Sequence, residues 1–249
     1  MAGVTGWTGA PLARAVEAAP DLELAAGVAR RGGDHGSVAD ALAAVEADVL
    51  VDYTSAEAVR AHADTALAAG LHVVVGSSGL TEADFAELDA AARAAGRAVI
   101  AAGNFSVLAA TLLHAAGLAA AQVEHWEIVD YGSAAKPDAP SGTARELAER
   151  LAQVREPSPA EHDGKVIGAP EARGASVGGA RVHSVRLPGY SLSTEAILAT
   201  ADERLVLRHE AGASAEPYIA GTLLAIRSTP HVTGVLRGLD RLLFGPSPR

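Results

Sequence analysis

Over the first 106 residues, apolar positions form short continuous runs, and each run is followed by small polar residues and then by a segment of helical periodicity. Continuous apolar runs of this length are typical of strands that are covered on both faces of a parallel sheet. The alternation of strand and helix predicts an α/β fold, a Rossmann-type doubly wound parallel sheet. The predicted strands are at residues 22–29, 48–54, 72–80 and 98–106, with helices at residues 55–69 and 81–95.

After residue 106 the pattern changes to period-two alternation of apolar and polar positions, which predicts antiparallel strands. We therefore expect a second, smaller α+β domain. The predicted division is residues 1–106 plus 214–249 for the first domain and 107–213 for the second. The predicted elements are helices at 107–120, 144–155 and 215–228, strands at 123–129, 182–187, 191–200 and 204–209, an irregular connection at 156–179 and a short closing segment at 234–244.

Composition excludes several classes of function. The net charge of −10 comes without a basic stripe, so nucleic acid is not expected as a partner. The absence of cysteine excludes disulfides, thiolate metal sites and cysteine nucleophiles. The nine histidines show no metal-ligand spacing, so no metal site is predicted. No apolar run reaches the ~18 residues of a membrane span, and no signal peptide is evident. A cytoplasmic protein without a membrane partner is the expectation.

A glycine-rich segment, Gly3-x-x-Gly6-x-x-Gly9, opens the chain and leads into a predicted helix. Glycines in this position let the backbone turn tightly and approach a pyrophosphate, which then lies at the helix N-terminus. We therefore expect this segment, with Trp7 and Thr8, to bind a dinucleotide. Few residues precede Gly3, so the first strand is very short: either it is trimmed or the true start lies upstream.

Ligands of doubly wound sheets bind beyond the carboxyl ends of the strands, which should here converge on one crevice. After the second predicted strand the chain has Arg30 and Arg31, where NAD-binding folds usually carry an acid. Two guanidinium groups suit a 2′-phosphate, which favours NADPH with NADH as the alternative. The competing interpretation is two solvated arginines in a loop. The remaining strand ends are Tyr53-Thr54, Gly76–Gly79 and Asn104–Ser106.

The chemistry of the second domain is predicted in the loop of residues 130–143. This loop carries Lys136, one of only two lysines in the chain, and ends in Ser141-Gly142-Thr143 at the start of a predicted helix. Free N–H groups at a helix start attract a carboxylate, and Ser141 is suited to be the N-cap. The alternative is an ordinary loop that leads into a capped helix.

Together these segments resemble the bacterial 4-hydroxy-tetrahydrodipicolinate reductase (dihydrodipicolinate reductase) family over nearly the full chain. The most diagnostic segment is Lys136-Pro-Asp-Ala-Pro-Ser-Gly-Thr143. The other matching segments are Gly3–Gly9, Asp52-Tyr-Thr54, Gly76-Ser-Ser-Gly79, Gly103-Asn-Phe-Ser106, Arg173-Gly174, Val182-His-Ser-Val-Arg186 and Arg208-His-Glu-Ala211.

The resemblance implies a two-domain, usually tetrameric enzyme that uses NAD(P)H to reduce a cyclic imine dicarboxylate in lysine and diaminopimelate biosynthesis. The first domain would bind the dinucleotide, and the second would bind substrate and carry the oligomer contacts. The substrate carboxylates would meet Lys136, Ser141, Gly142 and Thr143. The cofactor residues would be Gly3, Gly6, Trp7, Thr8, Gly9, Arg30, Arg31, Thr54, Gly76, Ser77, Ser78, Gly103, Asn104 and Phe105.

The loop departs from the family pattern His-His-x-His-Lys, because Gly132, Ser133 and Ala135 stand at the three histidine positions. A second departure is Ser193-Thr194 in place of a family Glu-His pair. The proposed proton donor of the family is therefore missing. The catalytic candidates that remain are Lys136 and Tyr131, whose hydroxyl could protonate an imine nitrogen if Lys136 lowers its pKa. The alternative for Tyr131 is a packed aromatic.

Three functions stay open at this stage. The first is a reductase of the family type acting on a carboxylate-bearing cyclic imine, with water or Lys136 as donor. The second is an imine reductase or amine dehydrogenase with a different substrate. The third is a catalytically silent NADP(H)-binding protein. The retained glycine segment and anion-binding turn argue against the third.

Overall fold

The computed structural model describes residues 1–158 and 167–245, and it divides into two compact units. The first unit comprises Met1–Val107 and Ala215–Leu242, and the second comprises Leu108–Ser214 with the residues from Leu243 onward. Each unit has its own sheet and its own apolar core.

The helices are α1 (Gly9–Ala18), α2 (Val38–Ala44), α3 (Val59–Ala68), α4 (Glu82–Ala95), α5 (Val107–Ala120), α6 (Gly142–Val154), α7 (Glu216–Ser228) and α8 (Leu239–Phe244), with short 3₁₀ turns at Pro170–Arg173 and Thr229–His231. The strands are β1 (Val49–Asp52), β2 (His72–Val75), β3 (Ala98–Ala101), β4 (His125–Gly132), β5 (Ala175–Val177), β6 (Ala180–Arg186), β7 (Leu192–Ala199), β8 (Arg204–Ala211) and β9 (Gly234–Arg237).

The first unit is built on a parallel sheet in the order β1-β2-β3-β9. Val73 and Val74, neighbours in β2, are both fully buried although their side chains point to opposite faces. This is what the continuous apolar runs predict, and the Rossmann-type doubly wound sheet is confirmed. The closing segment at 234–244 contributes β9 to the sheet and α8 after it.

Helix boundaries in the first unit follow local capping chemistry. The Thr81 side chain accepts a bond from the Asp84 N–H and the Asp84 side chain bonds back to the Thr81 N–H, which is a capping box at the start of α4. Gly96 closes the same helix in the left-handed conformation, which costs a glycine little. Helix α2 was not predicted; it is short and begins at Ser37, whose hydroxyl accepts the N–H of Asp40.

The predicted strand at residues 22–29 is wrong for most of its length. Within it, only Val28 makes ladder contacts, as isolated bridges to Ala2 and His35. An apolar segment becomes a strand only where another backbone lies beside it to accept its hydrogen bonds. Met1 and Ala2 supply such a backbone near Val28, and Ala2 bridges Val28 on one side and Asp52 on the other.

The second unit has a five-stranded sheet in the order β5-β6-β4-β7-β8. The strands at 182–187, 191–200 and 204–209 were predicted as antiparallel, and this holds for β7 with β8 and for β4 with β7. It also holds for β6 with β5, and it fails only for β6 with β4, where the pairing is parallel. The predicted irregular connection at 156–179 also contains a strand, β5, and a 3₁₀ turn.

Residues of β4 alternate strictly between the two faces of this sheet. Trp126 and Ile128 pack into the core of the unit together with Leu147 and Leu151 of α6. Asp130 continues the same row, whereas Val129 and Tyr131 lie on the opposite face. Strand β4 therefore carries an apolar face that ends in one buried carboxylate.

Among the residues that the structure describes, no helix combines the length and the apolar character needed to cross a membrane.

Candidate cofactor and substrate sites

The glycine-rich loop of the first unit forms a tight turn between Ala2 and α1. Gly6 donates its N–H to the Gly3 carbonyl at 2.9 Å, and Ala10 donates to Gly6 at 3.0 Å. A Cβ on Gly3, which has φ +83°, would overlap the carbonyl of Tyr53, and a Cβ on Gly9 would overlap the carbonyl of Gly3. Glycine is therefore required at these two positions of the turn, and α1 begins directly behind it. These are the features that a dinucleotide pyrophosphate requires.

Asp52 holds together two of the strand ends that follow this loop. Its side chain is fully buried at the end of β1, and its Oδ1 accepts the Ser77 hydroxyl at 2.6 Å and the Thr54 hydroxyl at 2.8 Å. The Thr54 N–H donates to both Asp52 Oδ1 and Ser77 Oγ. Oδ2 lies 2.7 Å from Nδ1 of His62. Thr54 and Ser77, both predicted to bind cofactor, are therefore brought together by one carboxylate.

Tyr53 lies beneath this edge. A Cβ on Gly76 would overlap the Tyr53 ring, which explains the glycine at that strand end. The Tyr53 hydroxyl bonds Thr222 at 2.7 Å, and burial raises the pKa of this phenol. The ring meets Phe105 edge-on at 6.2 Å, and Phe105 is only 2% exposed. The Phe105 side chain is therefore part of the core, and the cofactor contact predicted at this position stays a prediction.

The other predicted cofactor residues lie at the same edge with their side chains accessible. Trp7 is 61% exposed and touches Tyr218 edge-on. Arg30 and Arg31 are exposed, and the nearby carboxylate of Asp34 accepts the Gly27 N–H instead of pairing with them. Their positive charge is therefore available to an anion. Ser78 is also exposed, and Asn104 caps the next turn through a bond from the Ser106 N–H.

In the second unit, Asp130 organises the predicted substrate loop from the end of β4. Its side chain is fully buried and accepts the N–H of Ser141 at 2.8 Å and the hydroxyl of Ser141 at 2.7 Å. The Arg186 guanidinium donates to the same carboxylate at 2.7 Å, and Ser184 adds a bond at 3.2 Å. Arg186 also donates to the carbonyl of Asp138 at 2.6 Å. Both ends of the loop are tied to β4 and β6 in this way.

The role predicted for Ser141 as a substrate ligand stays a prediction, and in the structure both of its donors bond to another residue. Its hydroxyl caps α6 by accepting the Ala144 N–H, as predicted, while its own N–H and O–H both point to Asp130. The residue is 1% exposed. Gly142 is exposed and Thr143 is half-exposed, so these two positions of the turn face outward. Ser141 therefore positions the turn through its bonds to Asp130.

Lys136 lies midway along the loop and is half-buried. Its Nζ is 2.8 Å from Oδ1 of Asp138, and its N–H donates to the Ser133 carbonyl at 3.0 Å. The residues before it are small: Gly132 is buried, and Ala134 and Ala135 are exposed. A Cβ on Gly132 would lie 3.2 Å from the Arg186 guanidinium, so the absence of a side chain there makes room for that group.

The hypothesis that Lys136 lowers the pKa of Tyr131 is not supported. The Tyr131 ring lies on the sheet face opposite to Asp130, stacked on Tyr190 at 5.2 Å with the Arg208 guanidinium 4.8 Å from its centre. Burial and the carboxylate of Glu195 raise the pKa of Tyr131. A phenol in these surroundings gives up its proton less readily, and the alternative interpretation of a packed aromatic fits the contacts.

Three residues that organise the sites lie in segments noted in the sequence, but no role of their own was predicted for them: Asp52, Asp130 and Arg186. The signal for Asp52 was an acid at the end of an apolar run, where buried charge needs partners. Arg186 lies 56 positions after Asp130 in the sequence. The parallel pairing of β4 with β6 brings its guanidinium beside the loop. In the described part of the chain, no cluster of three or more His, Asp or Glu side chains could hold a metal ion.

Two family models together match residues 1–243 of the chain. Residues 1–105 match the N-terminal domain of dihydrodipicolinate reductase, and residues 105–243 match its C-terminal domain.

Individual relatives and solved structures agree with this match. A 4-hydroxy-tetrahydrodipicolinate reductase of Mycolicibacterium smegmatis is 35% identical over 242 residues, 97% of this chain and 96% of that protein. A 4-hydroxy-tetrahydrodipicolinate reductase of Streptomyces coelicolor is 36% identical over 247 residues, 97% of this chain and 95% of the relative. Among solved structures, the dipicolinate-bound dihydrodipicolinate reductase of Paenisporosarcina sp. TG-14 has a TM-score of 0.82 at 25% identity, covering 96% of this chain and 97% of its own.

Proposed function

This chain belongs to the dihydrodipicolinate reductase family of NAD(P)H-dependent oxidoreductases, and from that membership we propose that it reduces the C=N bond of a small cyclic imine bearing a carboxylate. The reaction class, a nicotinamide-dependent reduction of a small molecule, follows from the family. The identity of the imine, the roles of individual residues and the preferred cofactor are our proposals. We place this reaction in lysine and diaminopimelate biosynthesis, because the relatives are named as 4-hydroxy-tetrahydrodipicolinate reductases.

The observation that carries the carboxylate proposal is the buried Asp130–Arg186 pair, which fixes the turn Ser141–Thr143 and the backbone of Asp138 in one frame. In that frame the outward positions Gly142 and Thr143 stand at the start of α6, where the helix dipole favours an anion. Lys136 adds a cation that Asp138 holds at 2.8 Å. A substrate carboxylate would replace Asp138 as the partner of Lys136.

When bound, the reduced nicotinamide supplies a hydride to the imine carbon, and the imine nitrogen gains a proton. The chain's own contribution is to bind and orient. The glycine-rich loop would hold the pyrophosphate, and Thr54 and Ser77 would border the nicotinamide end of the site. The Lys136 ammonium is our proposed proton donor, with water as the alternative, because Tyr131 faces away from the loop and has a raised pKa.

We propose NADPH as the preferred cofactor. Arg30 and Arg31 are exposed, follow Val28 at its strand end and find no carboxylate partner among the described residues. Two such guanidinium groups can bind a 2′-phosphate in a bidentate manner. The Arg30→Ala/Arg31→Ala double variant should raise the KM for NADPH at least tenfold and leave the KM for NADH unchanged. Equal effects on both KM values would contradict the assignment.

We also propose that the chain forms a homo-oligomer in the cytoplasm. The face of the five-stranded sheet opposite to the core row of β4 carries apolar side chains, of which Val206 is 50% exposed and Val129 and Ile197 are half-exposed. Such a face is suited to pack on a second copy. Size-exclusion chromatography with light scattering tests this, and a monomer at micromolar concentration would contradict it.

A second candidate is an imine reductase or amine dehydrogenase acting on a different imine. The observation that favours it is the small-residue stretch Gly132 to Ala135, which offers no imidazole and only one hydroxyl, that of Ser133. The catalytically silent NADP(H)-binding protein is the third possibility, and tight NADPH binding without turnover of any imine would support it.

The deciding experiment is NADPH consumption with freshly generated 4-hydroxy-tetrahydrodipicolinate, beside a panel of simple cyclic imines and ketone-plus-amine mixtures. We expect turnover of the carboxylate-bearing imine. Lys136→Met should lower kcat/KM on it by at least about a hundredfold, the contribution typical of a positioned acid. Arg145→Met, an exposed cation in the first turn of the same helix, is the matched control and should keep wild-type activity. Turnover of the panel alone would favour the second candidate.

A further inference from the structure

The strand ends of the first unit lie in a fixed order along one edge. Ala2, which leads into the glycine-rich loop, bridges Val28 on one side and the end of β1 on the other, and β2 lies next to β1. The arginine pair Arg30-Arg31 follows Val28, whereas Thr54 follows β1 and Ser77 follows β2. A dinucleotide whose pyrophosphate binds at the glycine-rich loop extends to both sides of it. With the 2′-phosphate at the arginine pair, the nicotinamide ring therefore belongs on the side of Thr54 and Ser77.

The hydrogen bonds of Asp52 decide which groups act as donors on that side. Its Oδ1 is 2.8 Å from the Thr54 hydroxyl, 2.6 Å from the Ser77 hydroxyl and 3.1 Å from the Thr54 nitrogen. A carboxylate oxygen can only accept, so both hydroxyls must give their protons to it. Nδ1 of His62 lies 2.7 Å from the other oxygen, Oδ2. Neither hydroxyl therefore has a proton left for a ligand.

The two hydroxyls still offer lone pairs, but they differ in how open these are. Ser77 is half-buried, and its Oγ already accepts the Thr54 N–H at 2.7 Å. Thr54 is exposed, and its Oγ1 accepts no bond from the part of the chain that the structure describes. An unrestrained threonine hydroxyl rotates to suit either a donor or an acceptor. The Thr54 hydroxyl is held by Asp52, so it can bind a donor only.

We infer that the Thr54 hydroxyl oxygen accepts an N–H of the nicotinamide carboxamide, an assignment that rests on the proposed function. The carboxamide carries one donor group, its N–H2, and one acceptor, its carbonyl oxygen. An oxygen that can only accept selects the N–H2, and it thereby orients the carboxamide with its nitrogen toward Thr54. A methyl ketone in the same position would place no donor opposite these lone pairs. Thr54 is thus a specificity-determining residue for the nicotinamide end of the cofactor, and Asp52 sets the direction of its hydroxyl.

Calorimetric titration with oxidised dinucleotides, without any imine, tests this assignment. The ligands are NADP⁺, its thionicotinamide analogue, which keeps the N–H2, and its 3-acetylpyridine analogue, which has a methyl group in that place. Each is titrated into the wild-type chain, Thr54→Val and Thr54→Ser. Valine removes the hydroxyl at nearly constant shape, and serine retains it. Thr65→Val is the matched control, because the Thr65 hydroxyl donates to the Ala61 carbonyl within α3.

The wild-type chain should bind the 3-acetylpyridine analogue about fivefold more weakly than NADP⁺, the typical net value of one hydrogen bond. Thr54→Val should reduce this preference below about twofold, whereas Thr54→Ser and Thr65→Val should keep it. The affinity ratio between NADP⁺ and the thionicotinamide analogue should be the same in every variant, because both ligands carry the N–H2.

Equal wild-type affinities for NADP⁺ and the 3-acetylpyridine analogue, or a preference that Thr54→Val leaves intact, would overturn the inference. Failure of all three dinucleotides to bind would overturn it together with the proposed function. The expected preference without turnover of any imine would support the role of Thr54 and contradict the proposed function alone.

Discussion

Each unit places one fully buried aspartate at the end of a strand and uses it to hold loops that follow, but the two aspartates have different partners. Asp52 of β1 accepts bonds from Thr54 and Ser77 and pairs with a histidine, His62. Asp130 of β4 accepts bonds from Ser141 and pairs with an arginine. The partner of Asp130 is a guanidinium, which carries a permanent positive charge, whereas the partner of Asp52 is an imidazole ring.

This difference separates two ways of fixing a loop. The Asp130–Arg186 pair also binds backbone, since Arg186 donates to the carbonyls of Asp130 and Asp138. One buried cation, the Arg186 guanidinium, therefore holds both the carboxylate of Asp130 and the backbone of the loop. The Asp52 carboxylate instead accepts bonds from several smaller groups: two hydroxyls, one N–H and an imidazole that is partly exposed. Loss of any one of these partners leaves the others in place.

The largest effect is expected where the permanent cation is removed. Arg186→Met leaves the Asp130 carboxylate buried without its charged partner, which should cost about 3–5 kcal/mol of unfolding free energy. Urea denaturation measures this. Arg145→Met, an exposed arginine on α6, should change stability by less than about 0.5 kcal/mol. If the two variants were equally stable, the buried pair would not be what fixes the loop.

At the other aspartate we expect a smaller loss. Asp52→Asn keeps the shape of the side chain but turns one acceptor oxygen into a donor that faces other donors, at about 1.5–3 kcal/mol. Because Thr54 and Ser77 lose their common acceptor, NADPH should bind about tenfold more weakly by fluorescence titration. The control is Asp64→Asn, an exposed acid paired with Arg60, which should cost at most about 1 kcal/mol and leave NADPH binding unchanged.

A glycine tests how closely Arg186 is packed. Gly132→Ala places a Cβ 3.2 Å from the guanidinium, which must then shift and should lose about 1 kcal/mol of stability. Gly142→Ala is the matched control, because a Cβ there has nothing within 4 Å and should be neutral or stabilising by up to about 1 kcal/mol. A neutral Gly132→Ala would show that Arg186 has room to move.

The smallest effect is a pH dependence in the second unit. Burial lowers the pKa of His209, which lies in the row of Thr194 and Asp130 across β8, β7 and β4. The unfolded chain therefore binds a proton more readily than the folded chain, and stability falls as the pH drops below about 6.5 toward the folded-state pKa. His209→Gln should flatten this part of the profile. The control variant His231→Gln, at an exposed histidine, should leave the pH profile unchanged. If both variants flattened the profile, His209 would not be its specific cause.

What the sequence predicted, and what it did not, follows from how local each signal is. The run at 48–54 was predicted well because a strand covered on both faces is apolar at every position. The pattern at 22–29 looked similar, yet whether it becomes a strand depends on a neighbouring backbone that the pattern does not contain. Alternation along 182–187 gave the faces of β6 correctly, but it could not say that β4 lies beside it in parallel.

The candidate sites divide in the same way. Glycines at positions 3, 9 and 76 were predictable because the turns and close approaches they permit are local or nearly so. The substrate contact predicted for Ser141 rested on its position at the start of a helix. In the structure its donors bond to the carboxylate of Asp130, which lies 11 positions earlier in the chain. Arg186 is 56 positions from Asp130, and only the fold brings the two together.

The way Asp130 and Arg186 bracket the loop has a consequence for how its specificity can evolve. Ser133, Ala134 and Ala135 lie between anchor points at β4 and at Asp138, and their side chains take no part in the bonds that fix the loop. Mutations at these three positions can therefore accumulate at little cost in stability, while each one changes the surface presented beside Lys136. Substitutions at these three positions are therefore the ones that selection for a new substrate could use, and mutant libraries for a new specificity could begin with them.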